Sequence, residues 1–424
     1  MNATSLKLRD QGTLWHPYTQ HGLEQEFLPI HSAKDAWLTL VDGRKVLDAI
    51  SSWWVTLHGH SHPDIARAIY EQALQLEHTV FAGCTHEPAI LLAEYLLQAV
   101  QTRHTQLTRC FYSDNGSTAV EIALKMAFQY HLNRGVTTRR RFIAMHHAYH
   151  GDTLACMSVS ARDGFHRLFS GLMMDVDFVD VENSDDLKQL LSKQADQYAA
   201  LIIEPMVQGA AGMKMHSVAR LKEVAELCKQ AGVLLIADEV FTGFHRTGPC
   251  FAFEHAGIQP DLLCLAKGLS GGFLPLAVTL ATEEIFSAFS SKHIQDAFLH
   301  GHSFTANPLA CAAAIASWQI LQQAETQQAI TNIAEKTQFW VQQLSQHENC
   351  RTARSLGTLG VIEKHNLPDY HAGIGHTIRA FALRHGVLLR PLGAALYVLP
   401  PYRIQADELD HIYKVIQFIL EEDF

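Results

Sequence analysis

The chain has 424 residues, 48% of them hydrophobic and 18% charged, enough apolar material to bury a large core and to build one big domain with a smaller companion. Its formal charge of −10 comes from acidic and basic residues mixed along the whole length, without the basic stripe that nucleic-acid or anionic-membrane binding requires. The first twenty residues lack an apolar signal core and no later stretch reaches the roughly 20 apolar residues of a membrane span, so a cytoplasmic protein is expected.

In chain order, WLTLVDGRKVLDAI sets a DG turn between two apolar runs and predicts a hairpin. CFYSDNG followed by STAVEIALKMAFQYHL, then FIAM, AALIIEP, VARLKEVAELCKQAG with VLLIADEV, and DLLCLAKGL alternate short apolar runs with amphipathic helices. That alternation predicts an α/β fold with a mainly parallel sheet covered on both faces. We assign residues 61–315 to this large domain. A helix-rich ACAAAIASWQILQQ leads on to LGVIEKH, GVLLRPLG and ALYVLPPY as strands of a smaller α+β domain, built from 1–60 and 316–424.

Eight cysteines are scattered without a CxxC pair and read as reduced thiols. Among 26 histidines, His58, His60 and His62 alternate, and His146, His147 and His150 crowd together. Neither group has a carboxylate or cysteine completing a metal-ligand spacing, so no metal is expected.

Ligands of open α/β sheets collect at the carboxyl ends of strands and at the helix N-termini that follow. Asp238 ends the apolar run VLLIAD, and Lys267 ends DLLCLAK about one strand–helix–strand unit later. A buried lysine readily becomes neutral, and a neutral amine attacks a carbonyl to form a Schiff base. A buried carboxylate beside it can hold a ring nitrogen protonated, the arrangement that makes pyridoxal 5′-phosphate an electron sink. The turn DNGS opens a helix at Gly116 and Ser117, where free amides suit a phosphate. Taken singly, each has an ordinary reading: Lys267 a snorkelling surface lysine, Asp238 a cap or ion pair, NGS a simple N-cap. Together the three ordinary readings become improbable.

LLIADEVFTGFHRTG and PDLLCLAKGLSGG resemble the class III aminotransferases of pyridoxal-phosphate fold type I, the aspartate aminotransferase-like fold, and the likeness covers nearly the whole chain. WHPYT at 15–19, SSWW at 51–54, AYHGDT at 148–153 and RPLG at 390–393 match, within that family, the subgroup serving biotin synthesis. The resemblance implies conversion of 8-amino-7-oxononanoate to 7,8-diaminononanoate, with S-adenosylmethionine or, in some relatives, lysine as amino donor. It implies Lys267 as the catalytic Schiff-base lysine and Asp238 as the partner of the pyridinium nitrogen. Gly116 and Ser117 would hold the phosphate, with His302 and Ser303 approaching it from the other subunit of a homodimer. Tyr149 would stack on the cofactor ring, and Glu204 would belong to the cofactor's surroundings. Tyr18, Trp53, Tyr149 and Gly301 would line the substrate pocket, with Arg390 clamping a carboxylate. Arg246 is a candidate brace of the Asp238 strand end. Ser303 stands where threonine is common and keeps the hydroxyl. Ala306 and His245 stand where glycine is frequent, which at Ala306 disfavours a positive φ.

Rival readings are a transaminase of ω-amino acids or diamines, which the aromatics Tyr18 and Trp53 oppose, and an aminomutase on the same fold. A cofactor-sensing regulator would need a DNA-binding module, for which the chain has no extra segment.

Overall fold

A computed structural model describes residues 3–23, 27–103, 105–162, 164–365, 367 and 374–424. The chain divides into two compact units, Asp64–Gln323 and Met1–Pro63 with Ala324–Phe424. The helix Pro308–Leu321 lies wholly in the first, so a boundary at 315/316 would cut through it.

The larger unit is organised by a seven-stranded sheet. In chain order its strands are β1 (Leu107–Ser113), β2 (Arg141–Met145), β3 (Val176–Val179), β4 (Tyr198–Ile203), β5 (Leu234–Asp238), β6 (Leu262–Leu265) and β7 (Ala277–Thr282). Their spatial order is β1-β7-β6-β5-β4-β2-β3. Only β7 runs antiparallel to its neighbours β6 and β1; β3, β2, β4, β5 and β6 are parallel. Every residue of β4 and of β6 is buried, as expected of strands covered on both faces.

The helix Gly116–Asn133 begins at a capping box: Asn115 Oδ1 accepts from Thr118 N at 3.0 Å and Thr118 Oγ1 accepts from Asn115 N at 3.1 Å. It buries Val120, Ile122, Ala123 and Ala127 against β4, β5 and β6 residues including Ile202, Ile236 and Leu262. Burial of a side chain such as Ile122 contributes about 1.5–3 kcal/mol, so truncating it to alanine would loosen the very helix that opens at Gly116.

The smaller unit has one sheet in the order Ile30–Lys34, Trp37–Leu40, Lys45–Asp48, Val387–Leu388, and a second of Cys350–Leu356, Leu359–Lys364 and Ala395–Val398. The expected DG hairpin is present, with Trp37 opposite Leu47. Helices Ala324–Leu344, Ile374–Arg384 and Ala406–Glu421 accompany the sheets, the last burying Leu409, Ile412, Ile416 and Ile419. Among the described residues, no helix is long and apolar enough to cross a membrane.

Candidate active site

The carboxyl edge of the large sheet brings the key groups onto neighbouring strands. Asp238 is the last residue of β5 and lies in register with Cys264 of β6. Lys267 follows two residues past the end of β6, with φ of +47°, a left-handed backbone uncommon for a residue with a side chain. Such strain costs of order 1–3 kcal/mol and is typical of functional positions. Burial pulls the Lys267 amine down to about 8, against the opposing pull of the Asp238 and Glu204 charges. Its Nζ lies 5.9 Å from the centre of the Phe241 ring.

Asp238 is 5% exposed and doubly held. Its Oδ1 accepts from Val240 N at 3.0 Å, and its Oδ2 lies 2.7 Å from His150 Nδ1. A carboxylate partner fixes the proton of the imidazole on Nδ1, which leaves the buried Nε2 of His150 without a hydrogen-bond partner. His150 belongs to the histidine crowd seen in the sequence, but its pairing with Asp238 spans 88 positions and no local spacing announces it.

Glu204 directly follows β4 and is buried. Burial raises its carboxyl to about 7, and the charge of Asp238 adds to the rise. Its two oxygens accept from Tyr149 N and Gly209 N, both at 2.9 Å. Tyr149 is thereby anchored from β4, its hydroxyl 3.0 Å from Asp152 Oδ2 and its ring stacked on His166 at 5.7 Å. His166 in turn reaches the other oxygen of Asp152 at 3.0 Å. Asp152 is a site residue that sequence reasoning passed over, although it sits in the AYHGDT motif.

Ser117 Oγ accepts from Asp152 N at 3.3 Å. Gly151, with φ of +122°, permits that approach, since a Cβ there would come within 2.0 Å of Ser117 Oγ. At Gly116 a Cβ would come within 2.6 Å of Val240 Cγ1. Two glycines thus draw the helix N-terminus, the Tyr149 loop and the Asp238 strand end together. The buried acid Glu239 arranges the turn beyond, accepting from Ala252 N and Phe253 N at 2.7 Å and from Thr242 Oγ1 at 3.0 Å. Arg246 lies in that turn, 1% exposed.

Gly301, His302 and Ser303 occupy a separate loop before the helix Pro308–Leu321, with Gly301 and Ser303 exposed. His302 Nδ1 accepts from Phe304 N at 3.2 Å, so Nε2 carries the proton, and that buried donor has no partner. Ala306 corrects an expectation: it adopts φ of +54° despite not being glycine. His86 explains how. Its Nδ1 accepts from Ala89 N at the start of the helix Glu87–Gln101, leaving Nε2–H to donate to Ala306 O at 2.8 Å. His245 is likewise left-handed, φ +70°, with its Nδ1 2.8 Å from Gly248 O.

In the smaller unit, Tyr18, Trp53 and Arg390 come together. The Arg390 guanidinium lies 3.9 Å from the centre of a Trp53 ring and 5.9 Å from that of Tyr18, and the two aromatics meet edge to face at 5.4 Å. A cation so placed gains about 0.5–2 kcal/mol from the ring face.

The family model described as aminotransferase class-III matches residues 18–420. The chain belongs to the class-III aminotransferase family. This family member is 46% identical over 423 residues to the adenosylmethionine-8-amino-7-oxononanoate aminotransferase of Synechococcus elongatus, covering 96% of this chain and 98% of the relative. Among solved structures it is similar to the enzyme of the same description from Methanocaldococcus jannaschii, with a TM-score of 0.93, 34% identity and all of both chains covered. A pyridoxal-phosphate-bound amine transaminase from an uncultivated Pseudomonas species matches with a TM-score of 0.87 and 29% identity, over 95% of this chain and 97% of that one. The fold of this class-III aminotransferase is that of the type I pyridoxal-phosphate enzymes.

Proposed function

We propose that this aminotransferase converts 8-amino-7-oxononanoate to 7,8-diaminononanoate in biotin synthesis, with S-adenosylmethionine as amino donor and pyridoxal 5′-phosphate as cofactor. The observation that carries the reading is Lys267, a strained lysine at a strand end whose buried amine is held near 8 beside the strand-end carboxylate Asp238.

The residues present fit the cofactor part by part. A ring nitrogen needs a carboxylate, and Asp238 is kept oriented by His150 and Val240 N. A phosphate needs uncommitted backbone amides; the helix opening at Gly116 and Ser117 has them, and the missing Cβ of Gly116 leaves its backbone close to Val240, two residues past the end of β5. A flat ring needs an aromatic neighbour, and Tyr149 is fixed by Glu204 and backed by His166. When bound, the cofactor supplies an aldehyde for amine exchange and an electron-withdrawing ring that acidifies the adjoining carbon.

Lys267 would hold that aldehyde covalently and, once displaced by the donor amine, carry a proton on Nζ away from the donor carbon and return it at the cofactor's side. An amine near 8 has about a fifth of its population neutral at physiological pH and gives up a proton far more readily than a lysine at its usual 10.5, which is almost wholly charged there. Asp238 stabilises the positive ring nitrogen throughout. Arg390 binds the acceptor's carboxylate through its planar fork, with Trp53 and Tyr18 against the apolar chain. The unpartnered His302 Nε2–H and the exposed Ser303 support a homodimer in which these two approach the phosphate held by the other subunit. Eight free cysteines, five of them buried, suit the reducing cytoplasm.

The test is direct. Purified protein with pyridoxal phosphate and 8-amino-7-oxononanoate should form diaminononanoate when given S-adenosylmethionine; product with lysine alone would reassign the donor, and no product with either would contradict the acceptor.

A further inference from the structure

The smaller unit contains one helical turn, Ser51–Trp54, closed by bonds from Trp54 N to Ile50 O and Val55 N to Ser51 O at 2.9 Å but wound in the left-handed sense. Ser51, Ser52, Trp53 and Trp54 have φ of 49°, 45°, 69° and 74°, four successive left-handed residues with no glycine among them. L-residues adopt this backbone singly and reluctantly, so a run of four persists only where its surroundings over-determine it. Those surroundings are specific. Asp48, at the end of the strand Lys45–Asp48, is fully buried, and its Oδ1 accepts from Ile50 N at 3.2 Å. Its Oδ2 takes the Ser52 hydroxyl at 2.7 Å and lies 2.9 Å from His60 Nε2. Beyond the carboxylate, Ser51 Oγ donates to Leu399 O at 2.7 Å and Trp54 Nε1 to Tyr397 OH at 3.0 Å.

The handedness has a consequence for where adjacent side chains go. Trp54 is 5% exposed and built into the core, while Trp53, its neighbour, stays partly exposed beneath the Arg390 guanidinium. The Ile50 amide meets only one of the roughly four acceptor sites of this buried carboxylate, and the Oδ2 oxygen is left for side chains. Here the same group also grips the side chain of Ser52, the residue immediately before Trp53.

We propose that Asp48 is a positioning residue for acceptor recognition: through Ser52, and with His60 as its hydrogen-bonding neighbour, it locks the left-handed turn that presents Trp53 to Arg390. This rests on the reading of Trp53 and Arg390 as the acceptor pocket. Burial acts to raise the Asp48 carboxyl, but the hydrogen bonds from His60 and Ser52 outweigh it and hold the group below its usual range, so the grip is that of an anion.

The test compares Trp53→Phe, Asp48→Ala and Ser52→Ala in the cofactor-loaded protein, by near-ultraviolet circular dichroism and by steady-state kinetics. Trp53→Phe identifies the dichroic band owed to Trp53 and should raise KM for 8-amino-7-oxononanoate about threefold, because the smaller ring is a weaker cation–aromatic platform for Arg390, with kcat within about threefold. Asp48→Ala should remove the same band and raise the same KM. Ser52→Ala, a milder change that carries the test alone if Asp48→Ala does not fold, should do both to a smaller degree. Adding Ser52→Gly to Asp48→Ala should recover part of the band, because glycine adopts the left-handed backbone without strain. If Trp53→Phe raises KM while Ser52→Ala and Asp48→Ala lower only thermal stability, leaving band and KM unchanged, Asp48 is a structural tie and the positioning role is overturned. If Trp53→Phe itself leaves KM unchanged, the pocket reading falls first and takes this inference with it.

Discussion

Lys267 sits where a parallel sheet delivers it, two residues past the end of β6, whereas Trp53 sits on four left-handed residues that no regular element provides. The strand-end cluster inherits its geometry from buried ladders. Asp238 is fixed by the register of β5 with β6, and Glu204 by its position directly after β4. The Trp53 cluster combines a single turn's backbone bonds, from Trp54 N to Ile50 O and from Val55 N to Ser51 O, with a few side-chain hydrogen bonds to Asp48, Leu399 and Tyr397. On the proposed roles, the difference teaches that covalent and proton-transfer chemistry would be anchored in buried strand ladders, while recognition would rest on a strained turn that a single substitution can reshape.

The largest effect expected from breaking the first cluster is that of Lys267→Ala, which should lower turnover by about 10⁴-fold or more, measured as diaminononanoate formed, with folding unaffected. Asp238→Asn, which keeps the shape and removes the charge, should cost about 10²–10³-fold in kcat. A loss below tenfold would detach Asp238 from the chemistry. In the second cluster Arg390→Met should act mainly on KM for the acceptor, raising it about 10–100-fold, as expected for a lost charge-assisted contact; an equal fall in kcat would place Arg390 with Lys267 rather than with Trp53.

A pH experiment sharpens the contrast further. In the cofactor-free protein the Lys267 amine should react with an arylating reagent with a midpoint near pH 8, since burial lowers it from the usual 10.5. The native chain releases this proton near 8 and the unfolded chain keeps it to 10.5. The burial penalty is therefore full below pH 8 and is relieved as pH rises from 8 to 10.5, so this group adds stability across that window. A profile centred above pH 10 would contradict the burial. The smallest effect concerns strain: Ala306→Gly should change stability by no more than about 1 kcal/mol in urea unfolding, because relief of the left-handed alanine is offset by glycine's greater freedom in the unfolded chain.

Much of the strand-end cluster was legible in the sequence. VLLIAD and LLCLAK are short apolar runs ending in charged residues, and DNGS is a helix start, so Asp238, Lys267, Gly116 and Ser117 could be read from local pattern. The antiparallel strand β7 was not anticipated, because AVTLAT, between a glycine-rich turn and Glu283, carries no residue pattern that marks the direction in which it runs. His150 was visible only as one of three crowded histidines, since its partner Asp238 is remote in sequence. The SSWW turn was recognisable as a motif but not as a conformation: serine and tryptophan carry no signal for positive φ, and the side-chain bonds that brace it reach to Asp48, Leu399 and Tyr397. Ala306 shows the same limit, its left-handed backbone being held by His86 from a different helix.

The central claim is that Lys267 is the residue that binds pyridoxal phosphate covalently. Reducing the cofactor-loaded protein with borohydride, digesting it and mapping the modified peptide by mass spectrometry should find the pyridoxyl group on Lys267 in the peptide containing LLCLAKG. A pyridoxyl group on another lysine, or none retained after reduction, would contradict the account.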